Sequence, residues 1–166
     1  NDYEELIFEG YYINRKRNGK GKEYYEDDGQ LKFEGEYING ERNGKGKEYN
    51  EDGQLIFEGE YLNGERNGQA KEYNEDGKLI FEGEYLNGKL WDGKVKEYYV
   101  SNKKLLFEGE YCKGKLWNGI GYNKNGNIEC EIKNGKGFFK KYYDNDKLEF
   151  EGEFLNGEFN GKGKDL

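Results

Sequence analysis

Residues 29–52 read GQLKFEGEYINGERNGKGKEYNED, and residues 53–76 read GQLIFEGEYLNGERNGQAKEYNED. Twenty of these 24 positions are identical. The unit recurs along the chain with its lead residue at Phe8, Phe33, Phe57, Phe81, Phe107, Ile128 and Phe150. That makes six full units and a seventh that stops halfway, at Leu166. Self-similarity at a fixed period near 24 residues is the signature of a repeat array. No change of composition interrupts it, so residues 1–166 read as one array of about six and a half units.

Within a unit, LIFEGEYL alternates with a period of two. Phe57, Gly59 and Tyr61 share one parity, and Glu58 and Glu60 the other, as a strand requires. The second segment, GKGKEY, follows the turn signal NGERNG, and NEDG closes the unit. No window carries an apolar stripe at helical spacing. Each unit is therefore predicted to be a β-hairpin, and the chain an all-β, elongated array of consecutive antiparallel hairpins.

The aromatic pairs Phe33/Tyr37, Phe57/Tyr61, Phe81/Tyr85 and Phe107/Tyr111 are the expected core, with Phe8/Tyr12, Ile128/Ile132 and Phe150/Phe154 as their equivalents. Gly44 and Gly46 leave room for rings lying on the sheet. Glu58 and Glu60, with Lys45 and Lys47 opposite, form the other face, where cross-strand charge pairs set register. Tyr49 shares the parity of the lysines. Either it lies on the charged face or a bulge re-aims it.

The chain has 37% charged residues, a net charge of -8, and no His, Met or Pro. Ser101 is its one hydroxyl of the Ser/Thr type. These absences exclude histidine-based dyads and histidine metal ligands. The expectation is no enzyme, no catalytic residue, no metal and no cofactor. The acidic balance argues against nucleic acid and anionic lipid as partners. An aromatic content of 17% argues against disorder. No apolar run is long enough to span a membrane, and no signal-type segment is present. Cys112 and Cys130 have opposite parity, which predicts free thiols and a reducing, cytoplasmic setting. The chain opens on Asn1 rather than Met, the form of a fragment or trimmed chain.

Repeated Glu pairs and the NEDG turns are better explained as a solvated face and hairpin turns than as acid–base or calcium sites, because they recur in unit after unit. Two loops differ from the rest. Gly-Lys-Leu-Trp-Asp-Gly at 88–93 and Gly-Lys-Leu-Trp-Asn-Gly at 114–119 are one residue longer than the regular form. They place Leu90, Trp91, Leu116 and Trp117 at turn tips, either folded back over the aromatic layer or exposed as a partner-binding patch.

The string FEGEYLNGxxNGxG resembles the MORN repeat, over essentially the whole chain. It also resembles MORN variants in bacterial proteins labelled as antitoxins. The resemblance implies a rod of β-hairpins that serves as a non-catalytic protein-interaction or scaffolding module. An antitoxin-like inhibitor of one toxin and a lipid-headgroup binder are the alternatives. Its concave aromatic face or its open ends would carry the contacts, and the uncapped seventh unit implies end-to-end self-association. The sequence departs from the family pattern at Arg15, which replaces a turn glycine, and in unit six, where Cys130 and Phe139 replace glycines. A bend is expected there.

Overall fold

A computed structural model describes residues 7–143 and 145–165, with side chains described through residue 160. The chain divides into two compact units, Asn1–Lys89 and Leu90–Leu166. The first contains β1 (Phe8–Ile13), β2 (Lys16–Tyr24), β3 (Leu31–Ile38), β4 (Glu41–Tyr49), β5 (Leu55–Leu62), β6 (Glu65–Tyr73) and β7 (Leu79–Leu86). The second contains β8 (Lys89–Tyr98), β9 (Leu105–Cys112), β10 (Lys115–Tyr122), β11 (Ile128–Lys133), β12 (Lys136–Tyr142), β13 (Leu148–Leu155) and β14 (Glu158–Asp165). In each unit the strands pair antiparallel in sequence order. The all-β array of consecutive hairpins holds in both. Among the described residues no helix is long and apolar enough to cross a membrane.

The hairpin turns are two residues long. Asn39–Gly40, Asn63–Gly64 and Asn87–Gly88 take positive φ at both positions. That geometry matches the twist of the flanking strands, and Asn and Gly adopt it at least cost. The rest of the NGERNG signal, beginning at Glu41 or Glu65, already lies inside the returning strand. The return strand then bulges. Tyr37 faces Arg42 but Gly35 faces Gly46, so the stretch Asn43–Lys45 of β4 spans what Glu36 alone spans on β3.

In the first unit, rings from successive repeats meet edge to face. Phe33 lies 5.7 Å from Tyr37 and 5.4 Å from Tyr61, and Phe57 lies 5.5 Å from Tyr61 and 6.0 Å from Tyr85. Phe33, Tyr37, Phe57, Tyr61, Phe81 and Tyr85 are all buried. The glycines beneath them leave the space: a Cβ on Gly46 would stand 2.5 Å from the Phe33 ring. Tyr12, assigned to the core by equivalence, is 57% exposed.

The second unit has a different core. Phe107, Leu116, Cys130, Ile132, Phe139 and Phe154 form one buried cluster, with Tyr111 partly buried against it. Phe139 of β12 meets Phe107 of β9 at 5.2 Å. In the first unit rings reach only two strands along, whereas here they reach three, so the sheet curls at the sixth repeat. Ile128 is not a core residue, since it is 67% exposed. Strand β11 is only six residues long, and Ile132, Cys130 and Phe139 fill the interior instead. Both cysteines are free, Cys112 exposed and Cys130 buried. The expected sticky end rests on residues 161–166, whose side chains lie outside the described residues.

Candidate functional site

The two sheet faces of the first unit have different fates, and the division follows from parity. Arg42, Gly44, Gly46 and Glu48 share one parity of β4, so Arg42 and Glu48 stand on the aromatic face. There they make a ladder. Arg42 donates to Glu23 at 2.9 Å and to Glu48 at 3.2 Å, and Arg66 donates to Glu48 at 2.6 Å and also to Glu72. Arg17 begins the run with Glu23 at 3.2 Å. Tyr37, Tyr61 and Tyr85 each donate a phenol hydrogen, at 2.5 Å, to Glu23, Glu48 and Glu72 respectively. The guanidinium groups of Arg42 and Arg66 lie 3.9 Å above the rings of Phe33 and Phe57. A planar, weakly hydrated cation suits both the ring face and the carboxylate fork.

Burial acts to raise the carboxyls of Glu23 and Glu48. Hydrogen bonds from Arg42 and Tyr37 on Glu23, and from Tyr61 and Arg66 on Glu48, outweigh it and hold both below the ordinary carboxylate value. Burial, joined by the carboxylate each one donates to, drives the phenols of Tyr37, Tyr61 and Tyr85 up. This face is thus closed by its own side chains. In the first unit the aromatic face, one of the two expected contact surfaces, has Arg42 and Arg66 lying over the Phe33 and Phe57 rings.

The opposite face is open. Its side chains enclose a groove of about 880 Å³ across the first unit, floored by the backbone at Gly10, Gly21, Gly35, Gly46 and Gly59 and by Ala70. Six glutamates and five lysines line it. The register follows the sequence reading: Lys47 stands between Glu34 and Glu58, and Lys45 faces Glu60. Contact does not follow register, however. Among the described residues, Lys71 is the one of these lysines that reaches a carboxylate, Glu82 at 3.3 Å.

Tyr49 resolves to the charged face, where it donates to Glu34 at 2.8 Å; Tyr73 does the same to Glu58 at 2.8 Å, and Tyr24 to Glu9 at 2.9 Å. Burial and the accepting carboxylate push Tyr49 and Tyr73 up to about 12. A bulge does follow Glu48, on the side paired with β5, and it leaves Tyr49 on this face.

The four residues singled out near the tryptophans are not at turn tips. They are the second and third residues of β8 and β10, and the tips that precede these strands are Asn87–Gly88 and Lys113–Gly114. Leu116 pairs with Tyr111 as Arg66 pairs with Tyr61, and it is buried in the second unit's core. Leu90 and Trp91 are half-buried, and Trp117 is 37% exposed. Trp91 and Trp117 lie against Gly114 and Gly135 of the next hairpin turn. Their carbonyls accept from the amides of those glycines at 2.8 and 2.7 Å, as the Arg66 carbonyl accepts from Gly88 at 2.9 Å. The extra loop residue thus splits one job in two. Leucine takes the arginine's place on the aromatic face, and tryptophan takes its backbone role at the edge.

Among the described residues no group of three or more His, Cys, Asp or Glu side chains could hold a metal ion. The model of the MORN repeat variant matches residues 17–39, 66–90 and 137–156, and that of the MORN repeat matches 33–55 and 150–164. A comparison with curated proteins finds no match. The two models together span more than half of the chain and fall on the hairpins whose glycines, aromatics and turns have just been described, and on that ground the chain belongs to the MORN-repeat proteins.

Proposed function

We propose that this MORN-repeat chain is a protein-interaction module whose recognition surface is the charged groove of the first unit. MORN repeats generally serve as non-catalytic scaffolding and interaction elements. One observation carries the placement: the aromatic face is roofed by Arg42 and Arg66, while the opposite face encloses an open groove of about 880 Å³. A groove of that volume, floored by the backbone at successive glycines and walled by the stems and charged heads of lysines and glutamates, suits an extended segment of a partner.

The half-exposed Trp91 and Trp117 on the turn edge of the second unit are a second contact point in this proposal, with Leu90 beside them. Leu116 serves the core. The free thiols support a cytoplasmic setting.

The test is a groove-filling variant, Lys45→Trp with Glu60→Trp, compared with wild type for binding to a purified partner identified with the intact chain. Loss of binding with an unchanged fold supports the groove. Undiminished binding contradicts it.

A further inference from the structure

The groove's walls look balanced, with six glutamates and five lysines, but their side chains are not equally engaged. Glu9, Glu34 and Glu58 each accept a tyrosine hydroxyl. Glu60 turns across the bulge, where the amide of Gln69 donates to it at 3.3 Å. Glu36 folds in the same way over Gly44, close enough that a side chain there would collide with its carboxylate. Lys20, Lys22, Lys45 and Lys47 make no hydrogen bond or ion pair among the described residues, although glutamates stand opposite them in register. The repeat has drawn the carboxylates into its own structure and left four ammonium groups over the groove floor.

We infer that, if the groove is the recognition surface, its ligand is an extended polypeptide segment bearing acidic side chains at about every third residue. Lys22 and Lys47, like Lys20 and Lys45, sit two strands apart, which is about 9.6 Å. A polyproline-II or similarly extended chain advances about 9.3 Å in three residues. Running across the strands, such a segment sets its carboxylates on the ammonium groups. Its backbone N–H groups, between them, face the remaining lone pairs of Glu34 and Glu58. A flat anionic bilayer fits less well, because the lysines line a concave groove that a single extended chain can enter and a flat surface cannot.

The experiment uses the full chain and three synthetic repeat peptides, Glu-Ser-Ala, Gln-Ser-Ala and Lys-Ser-Ala, titrated calorimetrically at low and at physiological salt. The expected result is saturable binding of the Glu peptide alone, weakened by salt. Affinity should fall about tenfold in Lys22→Gln with Lys47→Gln, since each exposed ion pair contributes modestly. It should not change in Lys113→Gln with Lys133→Gln, two exposed lysines of the second unit. Lys20→Gln with Lys45→Gln gives the same reading if the first pair is poorly folded. The inference is overturned if the Glu peptide does not bind, if the Gln or Lys peptide binds as well, or if the groove variants bind it unchanged. It is equally overturned if phosphatidylserine vesicles bind the chain and lose binding in the same variants, which would assign the lysines to a headgroup phosphate. Should the groove-filling variant lose its partner while the Glu peptide fails, the groove stands and only the ligand class falls.

Discussion

Arg42 is the residue on which most of the first unit's polar chemistry converges. It lies on the Phe33 ring and joins Glu23 to Glu48. Its side chain is 22% exposed, so the pairs are neither fully desolvated nor freely screened. Arg42→Met keeps much of the ring contact and removes one of the two arginine partners from each of two partly buried carboxylates, Glu23 and Glu48. Urea unfolding is expected to show a loss of about 1–3 kcal/mol. Lys45→Ala, on an unpaired groove lysine, should stay within about 0.5 kcal/mol. Equal losses in the two would show that the ladder is ornamental. Glycine carries the complementary constraint. A Cβ on Gly35 would stand 2.6 Å from the Phe33 ring, 2.8 Å from the Lys45 carbonyl and 2.9 Å from the Gly46 Cα. Gly35→Ala is therefore expected to destabilise by about 1–3 kcal/mol, because two of those neighbours are backbone. Thermal unfolding indistinguishable from wild type would contradict this.

The hairpin was legible at the level of the element, since a period of two and an Asn-Gly turn have few other solutions. Tyr49 has two readings in the sequence because its parity sets an aromatic ring among lysines; it stays on that charged face, and the bulge after Glu48 does not re-aim it. The Arg–Glu ladder was missed although its signal was present. Arg42 and Glu48 have the parity of Gly44 and Gly46, but the sequence reading assigns only the strand glutamates with Lys45 and Lys47 to a face and gives these two residues none. The tryptophan loops were misplaced by a residue count. The extra residue reads as a longer loop with Leu and Trp at its tip, whereas the turn keeps two residues and the insertion lies in the strand, where Leu and Trp divide the arginine's contacts. Nothing in the local pattern announced Asp146. Its carboxylate accepts from the amides of Val100 and Ser101 at 2.9 and 3.1 Å and from Lys124 at 3.2 Å. It ties the turn after β8 to the turn after β12, and such long-range pairing follows only from the curl at the sixth repeat. Hydrogen bonds from Ser101 and Val100, with Lys124 beside it, hold this carboxyl down at about 2. Asp146→Ala should speed amide hydrogen exchange at Val100 and Ser101 while leaving the amides of β4 and β5 unchanged. Protection retained at both amides would mean that the loop is held by other contacts.

At the scale of the whole molecule, the same groups set the pH range of stability. The carboxyls of Glu23 and Glu48 are depressed in the folded chain, so their contribution is present above the ordinary carboxylate range and is lost as pH falls through the depressed values. The phenols of Tyr37, Tyr61 and Tyr85 are raised, so theirs is complete below about pH 10 and is lost as pH climbs above it. A plateau of stability between about pH 5 and pH 9 is expected from chemical denaturation across pH. Arg42→Met should flatten its acid limb, and an acid limb of unchanged slope would separate the ladder from acid stability.

The central claim is that partners lie on the charged face of the first unit and not on its aromatic face. Site-specific photo-crosslinking measures this most directly. A crosslinking residue is placed in turn at Lys45 and Gln69 on the groove, at Arg17 on the aromatic face, and at Trp117 on the turn edge of the second unit, in the intact chain bound to its partner. The account predicts strong adducts from positions 45 and 69, weaker ones from 117, and none from 17. Adducts from position 17 with none from 45 and 69 would place the partner on the roofed aromatic face and contradict it.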